Sequence, residues 1–285
     1  MIQFLRDIGD SEFLVTGLVA GLLASVACGV IGPYVITRRI VFLSGAIAHM
    51  AVGGIGAAFF LRAMFPRVFG ALQPIHGATL AALGGAVVIG LIHQRVAERM
   101  DTLIGALWSV GMAVGILLVK FTPGYPTELM SYLFGNIVFV SWDDVRLMAL
   151  LDAVILGAVL VFHKRFLALC LDEEQAQLQG VDLLRTNIAL LCVVALTVIV
   201  LTQVVGLILV IALLSLPAAT AAHHVSRMGP LILASTGICA VLTTAPRMAA
   251  YGTAVTPEAA IVLAAAGLYL LSVLATRLRG RRGKD

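Results

Sequence analysis

Long apolar runs separated by short polar breaks dominate the chain, and the runs have the length of membrane crossings. A spanning helix needs roughly 17–25 predominantly apolar residues, because about 30 Å of hydrocarbon is covered at about 1.5 Å per residue. Nine segments satisfy this, near 13–34, 41–61, 77–94, 102–119, 145–162, 187–204, 206–222, 230–246 and 259–276. A tenth stretch, near 127–140, is too short to cross and carries Glu128 and Asn136. It reads as an interfacial or re-entrant piece shielded by protein. The pattern predicts an all-α integral membrane chain of about eight to ten crossings, nine fitting best, forming one domain over 1–285. Glycines recur inside the spans, as at Gly17 and Gly21, at Gly53, Gly54 and Gly56, and at Gly111 and Gly115. Small residues at such spacing let helix backbones approach closely in lipid, so their first reading is packing.

Composition sharpens this picture. Of 285 residues, 61% are hydrophobic and 12% charged, against about 25% charged in an ordinary soluble domain. So little charge cannot cover a water-facing surface of this size. A soluble enzyme, a disulfide scaffold, a disordered tail and a nucleic-acid-binding domain are thereby disfavoured. Cys28, Cys170, Cys192 and Cys239 form no C-x-x-C pair and are expected as free thiols. With nine crossings and the N-terminus outside, cytosolic loops hold Arg38, Arg39, Arg95, Arg99, Lys164, Arg165, Arg185 and Arg227. The tail over 277–285 adds Arg277, Arg279, Arg281, Arg282 and Lys284, so most of the 19 basic residues fall on one side. That asymmetry predicts the N-terminus outside and the C-terminus in the cytosol. The N-terminal residues include Asp7, Asp10 and Glu12 and have no basic leader region, so no cleaved signal peptide is expected.

The one large polar loop lies between crossings five and six, at about 163–186. Asp172, Glu173 and Glu174 precede an Ala/Gln/Leu run that stops at Gly180. Acids at the start and glycine at the end describe a short helix with its dipole complemented and its terminus marked. A short acidic helix on the cytosolic face has the form of a docking element.

At this loop the chain resembles the ABC-type divalent-metal permeases of the ABC-3 family, whose coupling segment usually reads F-D-P-E-x-A-x-x-x-G. Asp172, Glu174, Ala176 and Gly180 match it, while Leu171 and Glu173 stand where the family has Phe and Pro. Gly29-Val30-Ile31-Gly32 through Arg38-Arg39 is similar to the family's first-helix exit. Val205-Gly206-Leu207 through Pro217-Ala218-Ala219-Thr220-Ala221 is similar to its V-G-x-L-L-V…P-A-A-T-A run, and Leu133-Phe134-Gly135 to its L-F-G. The resemblance spans about residues 12–275. It implies a helical permease of the type II importer kind that works as a dimer. Such a pair docks on two cytosolic ATPase subunits through the segment carrying Asp172, Glu173, Glu174, Ala176 and Gly180, and receives cargo from an extracytoplasmic metal-binding protein. The cargo implied is zinc, manganese or iron, with no permanently bound cofactor, in a bacterial-type plasma membrane. No lysine here completes a G-x-x-x-x-G-K-[ST] loop, so ATP hydrolysis is expected on another chain. No Ser-His-Asp arrangement or H-E-x-x-H motif suggests catalysis.

Ionisable residues at membrane depth are costly and therefore functional candidates. Two lie well inside spans: His49, roughly 13 Å from the inner end of crossing two, and Asp152, roughly 12 Å from the outer end of crossing five. The family's pattern here is G-D-A-L-S-H-A, whereas this chain reads Ser44-Gly45-Ala46-Ile47-Ala48-His49-Met50. The imidazole is kept and the carboxylate is Gly45, which leaves a half-site; Asp152 is the candidate to supply the missing charge. Imidazole without carboxylate suits zinc better than manganese, which prefers hard oxygen ligands. His76, His93 and His163 lie near helix ends. His223 and His224 could form an exit-side ligand pair, yet adjacent residues on a helix point about 100° apart and chelate poorly, so interfacial packing is expected of them. The reading that results is the permease of an ATP-driven, binding-protein-dependent importer with zinc as the favoured cargo and manganese, iron or a metal chelate as alternatives. A proton-coupled carrier working through Asp152 is the rival from another class.

Overall fold

The structure, a computed structural model, describes residues 2–7, 11–93, 100–123, 140–253 and 255–282. The expected stretch at 127–139, the Leu133-Phe134-Gly135 motif, Arg95, Arg99 and Lys284 lie outside the described residues. The elements are α1 (Ile2–Asp7), α2 (Glu12–Thr37), α3 (Val41–Met64), α4 (Pro66–Phe69), α5 (Pro74–His93), α6 (Met100–Lys120), α7 (Trp142–Leu171), α8 (Glu173–Leu178), α9 (Leu183–Ala222), α10 (Met228–Ala250) and α11 (Pro257–Arg282). Among the described residues, eight helices are long and apolar enough to cross a membrane, and Leu209–Ala222 forms a shorter apolar one.

That shorter helix arises at Gly206, where φ is 70° and ψ 166° inside α9, a conformation essentially reserved for glycine. Asn187, near the start of α9, approaches Arg38 at the end of α2. Leu214 and Ala218, beyond the break, pack against Gly32 near that same end of α2. The chain therefore reverses around Gly206. The paired runs at 187–204 and 206–222 become an outward and a return limb, the return spanning only about 21 Å at the α-helical rise. α9 is the hub of the fold and touches α2, α3, α5, α7, α10 and α11.

Burial is graded from this hub outward. The apolar windows of α2 and α3 are each 67% buried, those of α6 and α11 only 11% and 17%. Leu117 of α6, Leu160 of α7, Leu233 of α10, and Leu263 and Leu270 of α11 are exposed. Apolar side chains facing outward in such number are the surface of a protein solvated by lipid. α7 runs through Leu171 instead of ending near 162, because its last turns are amphipathic: Phe166 and Leu169 are buried while Lys164 and Arg165 are exposed. At the opposite end, α1 docks on α10 through Phe4, edge-on to Tyr251 at 5.3 Å, and the Tyr251 hydroxyl donates to Asp7 Oδ2 at 3.0 Å.

The α3–α6 interface is a glycine seam. A Cβ added to Gly53 would lie 2.9 Å from the Gly111 carbonyl oxygen, and one added to Gly115 would lie 2.7 Å from that of Val52. Backbones this close leave no room for side chains. Gly111→Leu is expected to lower the thermal midpoint of the detergent-solubilised protein, because overpacking costs about 1–3 kcal/mol or more. A parental melting curve would show that the seam is not needed.

Candidate transport and coupling sites

The acidic elbow is built as its sequence suggests. Asp172 caps α8, its Oδ1 accepting from the backbone N–H of Glu174 at 2.9 Å and of Gln175 at 3.1 Å. Glu173 and Glu174 occupy the first turn, where negative charge complements the helix dipole. Ala176 is the buried residue of α8. Gly180 adopts φ 79°, with its N–H on the Gln177 carbonyl at 2.9 Å and the Val181 N–H on that of Ala176 at 3.0 Å. This paired closure favours glycine at that position. Leu171 and Leu178 are 74% and 89% exposed at this polar end of the molecule. A groove between the end of α7 and α8 is lined by Lys164, Leu167, Ala168, Leu171, Gln175 and Gln179. An apolar floor with a polar rim, together with unburied leucines, is the anatomy of a protein contact surface.

Sequence reasoning counted Arg38 only as a charge and as part of a motif; in the structure it ties three elements together. Its guanidinium donates to the Leu169 carbonyl at 3.0 Å, pairs with Glu173, and reaches Asn187 Oδ1 at 3.4 Å. Leu169 lies in the last turn of α7, where carbonyls lack helical partners, so one side chain of α2 binds the end of α7, the start of α8 and the start of α9. The neighbouring Arg39 sits at φ 58°, with its N–H on the Ile36 carbonyl at 3.1 Å and the Ile40 N–H on that of Val35 at 3.0 Å. The same closure that uses Gly180 at α8 is made here by an arginine, at a left-handed position where L-residues are strained. Beside it, the Tyr34 hydroxyl lies 2.5 Å from His163 Nδ1 and links α2 to α7 again.

His49 faces α6. Its ring stacks on Trp108, with centroids 4.4 Å apart and planes at 23°, and its Nδ1 lies 3.1 Å from the Met112 sulfur. Trp108 also explains Gly45: a Cβ there would meet Trp108 Cζ3 at 2.6 Å. The indole occupies the space that a carboxylate-bearing residue at 45 would need. Around position 49 the structure therefore sets an imidazole beside a thioether, walled by an indole. Met112 went unnoticed in the sequence; its position four residues after Trp108 was the available signal, since residues four apart share a helix face.

Asp152 is elsewhere. It is 4% exposed on α7, which packs on α2 and α9, whereas His49 lies between α3 and α6. Neither Asp152 carboxylate oxygen has a hydrogen-bond partner among the described residues. Within one chain the two candidates are not brought together, and among the described residues no group of three His, Cys, Asp or Glu side chains converges. All four cysteines are free.

The profile of the ABC 3 transport family matches residues 10–276. A protein of Chlamydia trachomatis serovar D named "Probable metal transport system membrane protein" is 36% identical over 264 residues, covering 93% of this chain and 89% of that one. The manganese transport system membrane protein MntC of Listeria monocytogenes is 27% identical over 271 residues, covering 95% and 93%. Among solved structures, PsaBC from Streptococcus pneumoniae in complex with Fab superposes with a TM-score of 0.84 at 28% identity, covering 95% of each chain.

Proposed function

Given that the chain belongs to the ABC 3 transport family, and is a multi-pass membrane permease of that family, we propose that it is the membrane-spanning subunit of an ATP-driven importer of divalent transition metal, with zinc as cargo. In this reading one permease domain, paired with a second copy in a bacterial plasma membrane, has its N-terminus outside and its basic tail over 277–285 inside. The segment at 163–186 receives a cytosolic ATPase through Asp172, Glu173, Glu174, Ala176 and Gly180, and an extracytoplasmic protein delivers the ion. Hydrolysis belongs to the ATPase chain. Closure of the ATPases pushes on α8, Arg38 passes the movement to α2, α7 and α9, and the path past His49 opens to one side at a time. A permeating ion must be held weakly enough to leave, and a sparse site meets that need.

The observation that carries the choice of zinc is His49 Nδ1 beside the Met112 sulfur, with Trp108 filling the space at Gly45. Nitrogen and thioether ligands suit borderline and soft ions, whereas manganese prefers carboxylate oxygen. The Listeria relative's name favours manganese as the second reading. The test is uptake of labelled zinc and manganese in cells without importers of their own, supplied with this permease, its ATPase and its binding protein. Zinc should enter in preference to manganese, and His49→Ala should lower zinc uptake at equal expression by roughly tenfold or more. Undiminished zinc uptake in that variant removes His49 from the path, and preferential manganese entry moves the cargo to the second reading.

A further inference from the structure

Adjacent histidines within a helix diverge, but α9 ends at Ala222. His223 is its C-cap residue, at φ −68° and ψ −19°, and His224 lies in the turn that follows; their side chains reach a common point. His223 Nδ1 lies 2.9 Å and His224 Nε2 3.1 Å from one atom, the Ser272 Oγ of α11. The two imidazole nitrogens are therefore within two hydrogen-bond lengths of each other. The rings stand at 85° with centroids 6.5 Å apart, and Tyr269, one turn before Ser272, stacks on His223 at 5.6 Å. Ser272 is buried while His224 is exposed, which gives the cluster a fixed floor and an open approach.

A hydroxyl has one proton to donate, and a neutral imidazole has one donor and one acceptor nitrogen. The Ser272 oxygen also carries two acceptor lone pairs, so it can accept from both rings, or donate to one and accept from the other. A ring nitrogen that accepts from Ser272 already presents a lone pair at the shared point, and tautomer exchange in a ring that donates presents one there too. We propose that His223, His224 and Ser272 form a metal site, separate from His49, for a borderline transition ion of the zinc class. Two neutral imidazoles supply nitrogen ligands of the kind zinc takes at about 2.0–2.1 Å, with water completing a tetrahedral set and the serine hydroxyl as an outer-shell partner that orients the rings. Among the described residues neither imidazole is hydrogen-bonded to a carboxylate, so hard ions such as magnesium and manganese gain little there. An ion so held joins the end of α9 to α11. As a station for transported cargo the site rests on the import reading above; as a binding site it does not.

The experiment is equilibrium dialysis of zinc chloride against the purified full-length permease in detergent, carried on an affinity tag without histidine. The parent, His49→Ala, Ser272→Ala and the double variant His223→Asn/His224→Asn are compared. The double variant should bind one zinc fewer per chain than the parent, and His49→Ala should keep this ion. Ser272→Ala should bind it about tenfold more weakly, and the visible absorption of bound cobalt(II) should be lost in the double variant. A measurement on the unaltered chain guards against misfolding of the variants: zinc, but not magnesium, should slow modification of His224 by diethyl pyrocarbonate. Equal zinc stoichiometry in parent and double variant, or a modification rate that zinc leaves unchanged, overturns the site and leaves the cargo reading intact. Undiminished zinc transport by His49→Ala does the reverse.

Discussion

Arg38→Ala is expected to abolish the response of ATP hydrolysis to cargo and to cut uptake by roughly ten- to a hundredfold, while the protein still inserts and folds. The reasoning starts from what Arg38 holds. Its side chain is 11% exposed, and the charge-assisted bond to the Leu169 carbonyl belongs to a class worth about 1.5–3 kcal/mol. The pair with Glu173, whose side chain is 48% exposed, is screened and adds about 1 kcal/mol or less. A factor of ten corresponds to about 1.4 kcal/mol, so losing the first bond alone depletes the docked arrangement of α8 by the range stated. Arg38→Lys is the informative control. It keeps a point charge and loses the planar fork that lets one side chain reach three elements, so it should fall between parent and alanine. The readout is ATP hydrolysis by the reconstituted permease–ATPase complex with and without loaded binding protein. Parental stimulation in Arg38→Ala would show that the clamp is not part of the coupling path.

Gly45→Asp alone should yield an inactive and poorly folded protein, whereas the same change combined with Trp108→Ala should restore transport with altered preference. The single substitution drives a Cβ to 2.6 Å from the indole, and a ring stacked on His49 and set against α3 cannot yield without disturbing both. Removing the indole makes room and places a carboxylate one helical turn before the imidazole, on the same face. Oxygen ligation favours manganese. One added ligand contact of charge-assisted strength should raise the manganese-to-zinc uptake ratio by roughly tenfold or more. Competition between the two labelled ions in cells expressing parent and double variant measures this. An unchanged ratio in a well-expressed double variant would mean that selectivity is set away from position 45.

The apolar runs made the helices legible, because lipid imposes a length on every crossing and little else in a sequence imitates it. The elbow was legible for a local reason: Asp172 and Gly180 act on their own backbone within a few residues, so cap chemistry needs no knowledge of the rest of the fold. What stayed hidden depends on distant contacts. Gly45 reads as a lost ligand until Trp108, 63 residues away in sequence and on the next long helix but one, is seen to fill its space. Arg38 reads as a basic loop marker because its partners Leu169, Glu173 and Asn187 lie in other elements. His223 and His224 were expected to diverge, and their shared contact is Ser272 on another helix, 49 and 48 residues away in sequence. Asp152 and His49 both read as lying well inside their crossings but do not share a neighbourhood, a distinction that only packing draws.

Where α3 meets α6 through glycines, the two surfaces have few side chains to interlock. Helices with interdigitated ridges must lift apart before they can slip; a smooth bearing has no such teeth, and axial travel along it meets a low barrier. Trp108 and Met112 ride on one of the two rails and His49 on the other, so a shift of one helical turn carries indole and sulfur away from the imidazole together. The same bare track that lets the rails touch makes the surroundings of the His49 imidazole a function of their relative stroke.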